Sequence, residues 1–188
     1  PFSRISMHGV RRELLAAQAR ALGLPLWEVW IPWPCPNGIY EARMAEACAA
    51  LKGQGFTTFA FGDLFLQDVR AYRERHMEEA GMRGIYPLWG SDTRQLARDF
   101  VAQDFHAFLC CVDTAQLSAD FAGNSYDTAL LDALPASVDP CGENGEFHTF
   151  VYDGPIFQWP VSCRTGEVVM RGQFAYCDLL PEMQEMPA

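Results

Sequence analysis

The run Phe56-Thr57-Thr58-Phe59-Ala60-Phe61 is apolar and β-branched throughout and stops at Gly62-Asp63. A strand without a polar face belongs in a sheet covered on both sides, and such sheets are parallel. A parallel neighbour needs a crossover, and a helical pattern follows from Arg70 through Tyr72, Arg73 and Glu74 to Gly81. The alternation then repeats. Residues 85–88 read as a strand ending at Trp89-Gly90, Ser91 or Asp92 caps a helix through Leu96, Ala97 and Phe100, and residues 105–112 form the next strand, ending at Asp113.

Upstream, residues 5–7 read as a strand end. Leu14, Leu15, Ala19 and Leu22 share one helical face that Gly23 and Pro25 terminate. Residues 26–31 read as a short apolar strand and residues 40–51 as an alanine-rich covering helix. Strands and helices in this order predict an α/β domain over residues 1–113, a mostly parallel sheet with right-handed crossovers and helices on both faces. His8, Asp63, Trp89 with Gly90, and Asp113 each follow a proposed strand, at the rim where open α/β sheets bind ligands.

Beyond Asp113 the pattern changes. Helical character over residues 125–134 is followed by strand-like residues 161–164 and 168–171 flanking Thr165-Gly166, a hairpin, and by residues 174–177. Residues 114–188 are therefore expected to form a smaller α+β domain with a loose tail from Pro181.

Between these elements lies Asp139-Pro140-Cys141-Gly142-Glu143-Asn144-Gly145-Glu146-Phe147-His148-Thr149. Carboxylates, an imidazole and a hydroxyl are gathered by glycines and an Asn-Gly pair that bend the chain. Residues 146–152 read as a strand whose alternation puts Glu146 and His148 on one face and Phe147 and Thr149 on the other. An Asn-Gly turn serving only as a turn is one alternative. A zinc site of Cys141, Glu146 and His148 is another, although three donors without a Cys-x-x-Cys pair fall short of a structural zinc set, and no metal ligands are assigned.

A length of 188 residues admits one full domain with a small companion, and the net charge of -10, without a basic stripe, argues against nucleic acid or an anionic membrane as partner. Seven irregularly spaced cysteines do not read as a disulfide framework. No apolar stretch approaches the roughly 20 residues of a membrane span and nothing at the start resembles a signal peptide, so a cytoplasmic location is expected. The first residue is Pro1, which leads us to expect further residues upstream.

The stretches Ser6-Met7-His8-Gly9, Phe61-Gly62-Asp63-Leu64-Phe65 with Arg70-Ala71-Tyr72-Arg73-Glu74, Pro87-Leu88-Trp89-Gly90 and the 139–149 motif resemble the diphthine-ammonia ligase-like ATP pyrophosphatases, N-type members of the PP-loop, adenine-nucleotide α-hydrolase-like group. The resemblance implies a Rossmann-like parallel sheet binding ATP with Mg²⁺, and a second domain for the acceptor. It implies adenylation of a carboxylate on a small molecule or protein, release of pyrophosphate, and displacement of AMP by ammonia or an amine. Met7, His8, Gly9, Gly62 and Asp63 would bind the nucleotide. Glu143, Glu146 and His148 would be catalytic, and Gly142, Asn144, Gly145, Thr149 and Trp89 would contact the acceptor. Arg70 and Arg73 would hold phosphates or be ion-paired on their helix.

Two departures accompany the resemblance. The family's Ser-Gly-Gly-Lys-Asp-Ser phosphate loop is not in these residues and is expected upstream. The usual Glu-Gly-Gly-Glu-aromatic-Glu pattern reads Glu143-Asn144-Gly145-Glu146-Phe147-His148 here, which looks like a bacterial branch. Asn124 also stands where the family more often has arginine. The alternatives are a nucleotide-binding module without catalysis and a metal-dependent hydrolase. Assembly into a homo-oligomer is compatible with either.

Overall fold

The computed structural model describes residues 3–182, and the end of the tail, residues 183–188, lies outside them. Two compact units divide the chain. One comprises residues 1–26 and 92–188, the other residues 27–91. The cuts fall at 26/27 and 91/92, not at 113/114.

The first unit is organised by β3 (His106–Asp113), whose neighbours are β4 (Phe147–Asp153) and β6 (Phe174–Pro181), both antiparallel. With β5 (Cys163–Arg171) they form a four-stranded sheet in the order β4-β3-β6-β5. The strand expected as the last of a parallel set is thus an inner strand of an antiparallel sheet. Val112, between Phe147 and Ala175 in register, marks the core side. Leu109, Cys110, Phe150, Cys177 and Leu179 pack there with Leu14 of α1 (Arg12–Ala21), Ala97 of α4 (Thr93–Ala102) and Leu130 of α5 (Thr128–Ala133). Asp92 caps α4, its carboxylate accepting from Gln95 N at 3.0 Å, as a short acceptor before a periodic run dictates.

Two further expectations fail in this unit. Thr165-Gly166 is not a hairpin turn. β5 runs through it with a register shift between Thr165 and Val168, and the turn to β6 falls at Gly172-Gln173. A glycine after a β-branched residue marks a bulge as readily as a turn. Residues 5–7 form no strand either, since a lone bridge between Arg4 and Arg11 closes a small hairpin.

In the second unit β1 (Thr58–Ala60) pairs in parallel with β2 (Arg83–Ile85), joined through α3 (Gln67–Glu79), with α2 (Asn37–Gly53) alongside in sequence. The parallel crossover was legible in the sequence, but not its extent. Among the described residues this sheet has two strands, short of the extended, doubly covered parallel sheet of a full Rossmann-like or PP-loop fold. Thr58 and Ala60 are exposed and Phe56 is 51 % exposed. Residues 26–31, expected as a short strand, carry none. Residues 85–88 turn away after Ile85, three positions earlier than expected. No described helix is long and apolar enough to cross a membrane.

Candidate functional site

The 139–149 motif folds as two successive turns leading into β4. Gly142 N donates to Asp139 O (2.9 Å) and Gly145 N to Gly142 O (3.0 Å). Gly142 has φ +69°, and a Cβ there would fall 2.7 Å from the Phe147 carbonyl, so glycine is required on both conformational and steric grounds. Gly145 has φ +82° but open space where a Cβ would project. Asp139 Oδ2 accepts from Glu143 N (2.9 Å), tightening the first turn. The Tyr126 hydroxyl donates to Pro140 O at 2.7 Å.

Glu146 closes the loop. Its carboxylate is 1 % exposed, and Oε1 accepts from Asp139 N (2.9 Å) and Asn144 Nδ2 (3.0 Å), joining the two ends of the motif. Oε2 is buried without a hydrogen-bond partner. Burying a carboxylate oxygen without a donor costs energy that a merely structural turn has no reason to incur. Oε2 therefore has capacity for one more N–H or O–H donor.

His148 lies one step into β4, half-buried, paired in register with Cys111, which is itself opposite Tyr176 on β6. Directly opposed residues project to one face, so His148, Cys111 and Tyr176 form a row across the sheet. The 4–11 hairpin meets this row. His8 places its ring 4.4 Å from that of His148, tilted by 31°. Gly9, at φ +71°, lies where a Cβ would be 2.6 Å from the Tyr176 ring. Burial first, and repulsion from His8 second, lower His148 to about 4. Its imidazole is thus neutral at pH 7, with one nitrogen able to accept and the other to donate.

The residues expected to line a nucleotide are divided. Met7, 50 % exposed and at φ 62°, tips the hairpin with His8 and Gly9, in the unit that carries Glu146 and His148. Gly62 and Asp63 belong to the other unit, as does Trp89. Asp63 Oδ2 lies 2.7 Å from Arg73 Nε in an ion pair whose angle falls short of a hydrogen bond. The Arg73 guanidinium covers Phe61 at 4.7 Å. Arg70 pairs with Glu74 at 2.7 Å and lies 4.7 Å and 4.6 Å from the Tyr86 and Trp89 ring centres. Gly90 N donates to Leu64 O at 2.8 Å. These contacts explain the joint appearance of the two strand-end motifs and the arginine pair, since α3 pins both strand-end loops.

Both arginines are thus engaged within their unit, and Asp63 is ion-paired with one of them. The described residues do not make a triphosphate cradle. Among the described residues no group of three or more His, Cys, Asp or Glu is gathered as a metal site. Cys141 instead makes a contact from Sγ to Thr93 O at 3.3 Å, and burial pushes its thiol up to about 12. Asp113 is held inside its own turn, accepting from Ala115 N and the side-chain amides of Gln116 and Gln173. Of the four strand-end positions expected at one rim, Asp63 and Trp89-Gly90 follow the parallel strands. His8 and Asp113 belong to the antiparallel unit.

Residues 92–182 match the family model described as Diphthamide synthase C-terminal domain. That unit resembles a ligase family. The match begins at Asp92, where the antiparallel unit resumes after residues 27–91, and it leaves out that unit's first segment, residues 1–26. Over 110 residues the chain is 29 % identical to the diphthine–ammonia ligase of Schizosaccharomyces pombe. The alignment covers 56 % of this chain and 18 % of that protein.

Two features of the site escape the sequence. The contact of His8 with His148 joins positions 140 apart, and the row through Cys111 and Tyr176 exists only once β3, β4 and β6 are in register.

Proposed function

We propose that the antiparallel unit is the acceptor side of an ATP-dependent, amide-forming ligase, in which Glu146 and His148 receive the nitrogen nucleophile. The orphaned Oε2 of Glu146 carries this reading, because a buried acceptor two residues before a neutral imidazole suits ammonia or a primary amine. Glu146 Oε2 accepts one N–H of the nucleophile and orients its lone pair. As the C–N bond forms and the acyl C–O bond to AMP breaks, the nitrogen sheds a proton. His148, neutral at pH 7, takes it on its free nitrogen. Asn144 holds Glu146 in place, Glu143 borders the same turns, Gly142 shapes the first turn against Phe147, Gly145 gives the acceptor close backbone approach, and Thr149 follows on the strand.

ATP and Mg²⁺ enter this reading through the family resemblance. The 18 % coverage of the yeast ligase supports assigning the phosphate loop to chain outside these residues. Within them, Gly62 and Asp63 are the nucleotide-side candidates, with Met7, His8 and Gly9 reassigned to the acceptor side and Trp89, which shares the unit of Gly62 and Asp63, reassigned from the acceptor to the nucleotide side. The Glu143-to-His148 variant of the motif supports a bacterial branch whose acceptor differs from diphthine, since an imidazole replaces a carboxylate at its last position.

The test is product analysis with the full-length protein, ATP and Mg²⁺. Pyrophosphate and AMP are expected, with Glu146→Gln and His148→Ala each lowering turnover by roughly 10²-fold while ATP affinity stays level. Near-wild-type turnover in both variants would remove the motif from the mechanism. Tight ATP binding without turnover in the wild type would favour a nucleotide-binding module.

A further inference from the structure

His8 reaches His148 from a hairpin with few main-chain bonds of its own. Ile5 N donates to Val10 O (2.8 Å), Gly9 N to Ile5 O (3.0 Å) and His8 N to Ser6 O (2.8 Å), and Met7 and Gly9 both occupy positive φ. A turn of this size does not hold one orientation against a sheet by itself.

The hold comes from β6. Asp178, two residues beyond Tyr176 and so on the same face, receives both arginines at the hairpin base. Arg4 Nη1 donates to Asp178 Oδ1 at 2.9 Å and also to Gly9 O at 2.7 Å. Arg11 donates to the same carboxylate through Nε (3.0 Å) and Nη2 (2.7 Å). One carboxylate thus ties both strands of the hairpin to the sheet, and Arg4 extends the tie to the carbonyl beside His8. The side chains of Asp178 and Arg4 are each 25 % exposed and that of Arg11 34 %. This partial burial and the bidentate geometry distinguish the cluster from loose surface pairs.

We propose that Asp178 is a positioning residue: by gathering Arg4 and Arg11 at the base of the 4–11 hairpin it sets the His8 ring over His148. The groups around His148 are His8 from the hairpin, Cys110 and Cys111 from β3, the Cys110 Sγ donating to His148 O at 3.3 Å, and Tyr176 from β6, with Arg171 over the Tyr176 ring at 5.9 Å. Of these, His8 depends on the clamp for its place, whereas Cys111 and Tyr176 are fixed by strand register. That His148 belongs to the acceptor site rests on the ligase reading. That Asp178 sets His8 over it does not, and a titration without turnover keeps the two apart.

The experiment is an NMR titration of the ring protons of the four histidines in the 188-residue chain, comparing wild type with Asp178→Ala, Arg4→Ala, His8→Ala and the double variant Asp178→Ala/His8→Ala. The wild-type His148 midpoint is expected near 4. Releasing the clamp should raise it by about one pH unit, a tenfold change in proton affinity, because His148 loses part of its cover and the repulsion from His8. His8→Ala should raise it similarly, and adding Asp178→Ala in that background should move it little further. Asp178→Glu should restore most of the wild-type value. An Asp178 that serves only stability would lower the melting temperature and leave the midpoint of the folded protein unchanged, and that result overturns the proposal. Should Asp178→Ala not fold, Arg4→Ala, which keeps the Arg11 pair, decides by the same readout.

Discussion

Residues 56–61 and 105–112 look alike as sequence, both nearly continuous apolar runs, yet they end in opposite circumstances. β3 is buried at six of its eight positions, while β1 shows an exposed residue on either side of a half-buried Phe59. The difference lies in neighbours. β3 has a strand hydrogen-bonded along each edge and a helical core against one face, whereas β1 has β2 on one edge and three residues of ladder. An apolar run thus specifies a strand. How deeply that strand is buried depends on how many other strands the chain brings to it.

The largest expected effect tests this contrast. Leu109→Ala, at a site with no exposure, should cost about 2–5 kcal/mol. Phe59→Ala should cost roughly half as much, its side chain having less apolar surface to lose. Residue-resolved hydrogen exchange reads each unit separately, with the slowest amides expected in β3 and β6. Equal costs at the two sites would break the comparison.

A pH dependence confined to the antiparallel unit sharpens it. His148 titrates near 4 in the folded protein and about 6.5 when unfolded. Between these values the unfolded chain binds the extra proton, so the contribution is fully present above pH 6.5 and is lost as pH falls toward 4. It amounts to at most about 3 kcal/mol, and less after solvent screening of a half-buried ring. Denaturant titrations at pH 7 and pH 4.5 should show the loss, and His148→Gln should flatten it.

Within the motif, Gly142→Ala should cost about 2–3 kcal/mol, combining positive φ with a backbone clash, whereas Gly145→Ala should cost about 1 kcal/mol from φ alone. Melting temperatures of the two variants give the ranking, and a reversed order would contradict the turn geometry. The smallest effect belongs to the parallel unit. Arg73→Ala breaks a partly exposed ion pair with Asp63 and should cost about 1 kcal/mol or less. A larger loss, measured by exchange of β1 and β2 amides, would show that α3 depends on this pair more than its exposure implies.

Local chemistry determined much of this protein. The cap at Asp92, the stop at Gly23, the parallel crossover through the arginine-bearing helix, and the turn-then-strand form of residues 139–153 are all set by residues within a few positions of one another, where short-range sterics and hydrogen bonding decide. The tertiary structure decided what those elements meet. Residues 26–31 have the composition of a strand and join no sheet, because joining a sheet is a property of two segments. Thr165-Gly166 carries a bulge because β6 continues alongside it. Asp178 finds Arg11 across 167 positions and Arg4 across 174, and His148 finds His8 across 140. No periodicity records such contacts, since they follow from the closure of long loops onto a sheet whose strand order, β4-β3-β6-β5, is fixed by the burial of its core.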